Sequence, residues 1–163
     1  MDQIDILSGI KPGSELYRIR RERPDYVEGT ELCRQTVLAP SHGFDIGPAM
    51  RAALAARMAR LIGRNDLART YGLMLEETGS DETLAAIASA AEFPANAGIF
   101  TQALVRHADL VTKTPRNNTK ADIEHLEAAG LSNPQIIALS ELIAFVNFEA
   151  RVIIGLEALE LVA

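Results

Sequence analysis

The chain has 163 residues, the length of one folded domain, and a domain of that size buries roughly 68–70% of its unfolded surface. Hydrophobic residues make up 48% and aromatics 5%, and tryptophan is absent; alanine and leucine supply much of the apolar content, which favours packed helices over a sheet. A net charge of −6 and a pI near 5.1 argue against a nucleic-acid binder, which needs a basic footprint.

Residues 1–45 read as short helices and turns. In "ILSGIKPGS" two glycines and a proline punctuate the chain. Ser14 is placed to cap a helix over 15–22, and Pro24 fits the first turn of a helix over 24–37. "LAPSHGFDIGP", residues 38–48, is a loop. From 48 to 62, Met50, Leu54, Met58, Leu61 and Ile62 form one apolar stripe of a helix that Gly63 ends. A further helix covers 65–77, with Gly79 closing it. Ser80 or Asp81 then caps "DETLAAIASAAEF". Pro94 opens "PANAGIFTQALVRHADLVTKT", "TPRNNT" is a loop, and Thr119 caps "KADIEHLEAAG" up to Gly130.

"SNPQ", residues 132–135, reads as a capping box in which Ser132 and Gln135 satisfy each other's backbone N–H groups. The helix it opens is expected to run to about Leu159, roughly 40 Å at ~1.5 Å per residue. Ile136, Leu139, Ile143 and Val146 form one stripe on it. Leu142, Phe145, Phe148, Val152 and Leu156 form a second. A helix apolar on two sides is expected to be both the centre of a bundle and part of a subunit interface.

No apolar stretch reaches the ~18 uncharged residues of a membrane span. The longest, "IIALSELIAFVNFEARVIIGL", is interrupted by Glu141, Asn147, Glu149 and Arg151. "MDQIDILSGIKPG" is acidic and lacks the apolar run of a signal peptide. A soluble, cytoplasmic protein of one domain over 1–163 is the expectation, without membrane or nucleic-acid partners. The single cysteine, Cys33, excludes an intramolecular disulfide, a CxxC pair and a cysteine-based zinc site within one chain.

Two segments carry a resemblance. In "ADLVTKTPRNNTKADIEHLEAAGLSNPQIIALSELIAFVNFEARVIIGLE" the features are Leu110, Thr112, Pro115, Thr119, Asp122, Ile123, Leu126, Gly130 and Ser132, then Asn147, Phe148, Arg151, Gly155 and Leu156. "AALAARMARLIG" is the second segment, and "GIKPGS" and "RRERPD" add looser likeness upstream. Together these resemble the peroxidase-related branch of the carboxymuconolactone decarboxylase / alkylhydroperoxidase D-like family. The likeness covers most of 48–160 and sets 1–45 apart from a family core over 46–163. It implies an all-α alkylhydroperoxidase D-like helical bundle, assembled as a homo-oligomer.

Active members of that family carry a Glu about twelve residues before a CxxC, then a His one helical turn beyond it. A thiol at a helix N-terminus has its thiolate stabilised by free N–H groups and the helix dipole. The Glu and His move protons, and the second thiol resolves the oxidised first. With Gly63 as anchor, the Glu position falls at Ala52, the two cysteines at Arg64 and Leu67, and the His at Tyr71. All four functional residues are absent, and neighbouring Arg51, Asn65, Ala68 and Thr70 do not replace them. The resemblance therefore implies a scaffold that has lost its dithiol chemistry. Such a member could assemble with itself and with a cysteine-bearing relative.

Other residues carry two readings each. Cys33 is either a lone peroxidatic or cross-linking thiol, or a part-buried cysteine acting as a small hydrophobe. Arg57, Arg60 and Arg64, spaced three and four apart, would share a helix face that either binds an anion or forms a solvated or pairing stripe. "RIRRER", residues 18–23, reads as salt bridging at the surface or an interface. His107, beside Asp109, is the candidate base, because the family's decarboxylase branch uses a histidine; otherwise it is a locally bonded histidine. A non-thiol enzyme would act on a small carboxylate or lactone. His42 and His125 are weaker candidates, and the three histidines lack metal-ligand spacing. Tyr71 would be a poor base, since a phenol titrates near pH ~10. No cofactor and no metal are expected.

Overall fold

The computed structural model describes residues 1–91 and 97–161. Among these residues nine α-helices and one 3₁₀ turn account for the regular structure, with no strand. The chain is all-α.

The N-terminal quarter is local capping and ion pairing. α1 (Gln3–Leu7) starts at Asp2, whose carboxylate accepts from the Asp5 N–H at 2.8 Å. α2 (Glu15–Arg20) is capped by Ser14, whose hydroxyl accepts from the Tyr17 N–H. It stops short of residue 22 because the Arg21 and Glu22 N–H groups turn back three residues, to Arg18 and Ile19. Asp5 is wholly buried and is held by Arg20 and by Arg21, the latter at 2.5 Å. Arg20 also pairs with Asp2 at 3.2 Å. The basic run "RIRRER" thus ties α1 to α2 within the chain, and α3 (Pro24–Leu38) follows with Pro24 in its first turn.

The loop expected at 38–48 is present, bound by one side chain. Arg51, 2% exposed, donates from Nε to the Ile46 carbonyl at 2.7 Å. Its two Nη atoms donate to Val37 and Gly43 carbonyls at 2.8 and 3.0 Å. Burial lowers its pKa, an effect Glu141 opposes. The guanidinium replaces the water that these loop carbonyls would otherwise need.

α4 (Pro48–Leu61) is the central element, buried without interruption from Arg51 to Ala59 and packed against α3, α5, α6, α7 and α9. This corrects the expectation of a single stripe on α4 and of a bundle centred on the last helix. Ala52, Ala53, Ala55, Ala56 and Ala59 bring neighbours close on every side, so the helix is enclosed although few of its residues are large. It ends as foreseen at Gly63, whose φ of 85° suits a glycine. There the Gly63 N–H bonds the Arg60 carbonyl at 2.9 Å and the Arg64 N–H bonds Ala59 at 2.8 Å, a Schellman motif.

α5 (Asn65–Thr78) and α6 (Glu82–Ala88) follow, with Asp81 capping Leu84 at 2.7 Å. The start expected at Pro94 lies outside the described residues; α7 is Ile99–Lys113. A 3₁₀ turn over Pro115–Asn117 occupies the expected loop. α8 (Lys120–Ala128) begins with a Thr119–Asp122 capping box. α9 (Asn133–Glu160) opens on the Ser132–Gln135 box, with the Ser132 N–H donating to Gln135 Oε1 at 2.7 Å. The first apolar stripe of α9 is buried. The second divides, with Leu142 and Phe145 inside and Phe148 48% exposed. No helix among the described residues is long and apolar enough to cross a membrane.

Candidate functional site

The turn from α4 into α5 lies at the surface, with Gly63 and Asn65 exposed, but the side chains flanking it are closed off. Ala52 and Leu67 are wholly buried and Tyr71 is 1% exposed. Leu67 and Tyr71 lie one turn apart on the inward face of α5, with Ala68 beside them and Leu75 beyond. Arg64 caps the start of α5 by position only, without a side-chain bond to the helix's backbone N–H groups. Its guanidinium instead reaches Asp66, and Glu157 near the end of α9. The Glu157 hydrogen bond is the first cause of the raised Arg64 pKa, with burial opposing it and Asp66 adding to it. Two carboxylates already occupy this cation, so it presents no vacant anion site.

Tyr71 ends in a buried ion cluster. Its hydroxyl donates to Glu149 Oε2, and Arg34 Nη2 donates to Glu149 Oε1 at 3.1 Å. Three helices, α3, α5 and α9, each contribute one member. Glu149 is 0% and Arg34 8% exposed, and Arg34 Nε also faces Glu31 at 3.4 Å. Burial is the main cause that pushes the Glu149 carboxyl up, while Arg34 and the Tyr71 hydroxyl pull it down. Burial also drives the Tyr71 phenol well above its ordinary value, and the Glu149 charge adds to this. The arrangement places one anion between one cation and one phenol. A phenol kept protonated and shut from solvent serves as a hydrogen-bond donor, not as a base or nucleophile.

The remaining candidates are dispersed. His107 is 3% exposed on the inner side of α7, and its Nδ1 has no hydrogen-bond partner. Burial lowers its pKa; Asp122 works against that and Arg106 with it. Arg57 is buried in a two-point pair with Asp109, at 2.6 and 2.8 Å, and also reaches the Ala91 carbonyl. Arg60 donates to the Ala88 carbonyl at 2.9 Å. Arg64 lies beyond the end of α4, so the three arginines do not share one helix face. The Gly63 turn redirects the chain: Arg57 and Arg60 both reach carbonyls at the end of α6, Arg57 pairing with Asp109 of α7 as well, while Arg64 turns to α9. His42 and His125 are both exposed.

Cys33 is exposed, not part-buried as expected. The buried residues of α3 are Arg34, Val37 and Leu38, which turns Cys33 into a groove between α3 and α9. That groove, about 740 Å³, is lined by Tyr26, Leu32, Phe145 and Phe148, with Asp25 and Glu141 as its charged residues. A reactive thiolate needs a cation or a helix N-terminus beside it, and this lining supplies carboxylates.

Glu149 is the residue that the sequence reading passed over, noting it only as a break in an apolar run. The signal was available in its spacing. Leu142, Phe145, Val146, Ala150 and Ile153 define the buried side of α9, and Glu149 falls on that side. A carboxylate on a core stripe requires a buried partner. No family model matches the chain, and the search of curated proteins likewise found no match.

Proposed function

We propose that this chain is a carboxymuconolactone decarboxylase / alkylhydroperoxidase D-like bundle without the dithiol peroxidase site. In this reading it is a cytoplasmic, structural or regulatory member of a homo-oligomer, with a cysteine-bearing relative as a further possible subunit. The observation that carries the reading is the use made of the α4–α5 turn. Where active relatives would expose thiols, Leu67 is packed into the core, Tyr71 is bonded to Glu149, and Arg64 is paired with Asp66 and Glu157. Each of the three side chains serves packing or pairing.

A second reading, a one-cysteine peroxidase, draws on the exposure of Cys33 in the α3–α9 groove. The acidic lining weighs against it. The acid–base alternative through His107 gains nothing from that residue's burial on the inner side of α7.

The test is a peroxidase assay with an organic hydroperoxide and a dithiol reductant, on the wild type and Cys33→Ser side by side. No turnover in either is the expected result. Turnover lost in Cys33→Ser would move the chemistry to the groove, and turnover kept in both would overturn the reading altogether.

A further inference from the structure

The outer face of α9 has a pattern that the bundle itself does not use. Ile137, Glu141, Ala144, Phe148, Arg151 and Gly155 are all exposed. Their steps alternate between four and three residues, the spacing of a coiled-coil seam, and at ~3.6 residues per turn they fall within an arc of about 80°. The six positions pair off symmetrically about Val146: Ile137 with Gly155, Glu141 with Arg151, and Ala144 with Phe148. Each pair is complementary, large with small or acid with base.

From this we infer that α9 is a self-complementary docking surface, and that a second copy of this chain lies antiparallel on it about a two-fold axis at the level of Val146. The inference deepens the oligomer reading above and rests on it. In that arrangement Glu141 meets Arg151 of the second copy, twice, at points about 15 Å apart along the helix. Phe148 of the second copy packs against Ala144, at the mouth of the α3–α9 groove, where Phe145, Leu32 and Cys33 form the wall. Ile137 of the second copy lies over Gly155.

Two observations within the chain leave these residues available. Among the described residues Glu141 makes no hydrogen bond or ion pair, and Arg151 reaches only Asn147, its own neighbour one turn back, at 3.3 and 3.4 Å. Gly155 also lacks an internal purpose. A Cβ there would meet nothing within 4 Å, and its φ is not positive. A glycine inside a helix weakens that helix relative to alanine, so its place on the seam is explained by close approach of another surface. A two-fold contact must be isologous, with each residue meeting its complement on the other copy, and this set of six meets that condition in the antiparallel sense alone.

Sedimentation equilibrium on four forms tests the arrangement: wild type, Glu141→Lys, Arg151→Glu and the double exchange Glu141→Lys/Arg151→Glu. Both altered side chains are exposed, and urea denaturation of each form checks that the fold survives the loss of the Glu141 charge near buried Arg51. Each single exchange sets like charges opposite one another and is expected to weaken association roughly tenfold or more, halving the mass of the assembly. The double exchange restores both pairs and should restore the mass. Single exchanges without effect, or a double exchange as weak as the singles, would overturn this docking surface while leaving self-association intact. A wild type that stays monomeric at every concentration would overturn both this surface and the oligomer reading. The peroxidase assay on the same preparations separately tests the loss of dithiol chemistry.

Discussion

The two ends of the molecule's chemistry differ in kind. At the α4–α5 turn every functional group is satisfied from within: Arg64 by two carboxylates, Tyr71 by Glu149, Glu149 by Arg34. On the outer face of α9, Glu141 and Arg151 form no salt bridge among the described residues, and Phe148 and Ile137 are 48% and 59% exposed. Both regions draw on the same helix, since Glu149, which pairs with Tyr71, is adjacent in sequence to Phe148. The difference teaches where to look for function. A polar group that is fully paired inside explains stability, whereas one left unpaired beside an apolar groove calls for a partner outside.

The contrast is broken most severely on the sealed side. Glu149→Ala strands the Arg34 cation and the Tyr71 hydroxyl, and removal of one member of a buried pair costs about 3–5 kcal/mol, read by urea denaturation. Leu67→Ala leaves a cavity under the turn and should cost about 2–5 kcal/mol in the same experiment. Ser132→Ala, which removes the cap of α9 and touches neither region, should cost about 1 kcal/mol and sets the scale for a local effect. Phe148→Ala sharpens the contrast from the other side. Its effect on the stability of the chain should stay within about 0.5 kcal/mol, while the mass of the assembly in sedimentation falls.

The gentlest probe is pH. Burial holds His107 neutral below its ordinary value of 6.5, so as pH falls the unfolded chain takes up that proton first. The His107 contribution is therefore whole above about pH 6.5 and is lost as pH drops through that value toward the folded one. Denaturation midpoints should decline over this window in the wild type and decline less in His107→Gln.

What was legible in the sequence was local. The Gly63 stop, the Thr119 cap and the Ser132 box depend on residues within a few positions of one another, and each occurs as read. Most helix boundaries followed, but α2 is shortened, and α6 stops at Ala88 where the expected helix ran on, because the Ala90 N–H turns back three residues to the Ile87 carbonyl. What escaped depends on distant residues. Arg34 lies 115 positions from Glu149 and Tyr71 lies 78, so neither partnership leaves a mark on a short window. The enclosure of α4 was missed for another reason. Alanines carry little weight in an apolar stripe, yet their smallness is what lets five helices pack around one. The exposure of Cys33 likewise followed from which side of α3 faces inward, and that was decided by Arg34, a charged residue that a hydrophobicity pattern assigns to the outside.

The position of Glu149 also constrains the order in which the chain can collapse. Its carboxylate cannot leave water until α3 has delivered Arg34 and α5 has delivered Tyr71, because an unpaired charge in the core is costly. Docking of α9 therefore waits on contacts spanning most of the chain, and contacts of such long sequence separation slow the search for the native state. A partly folded chain has no favourable way to insert its last helix alone. Folding is expected to be cooperative and late to complete, with α9 as the element that closes it.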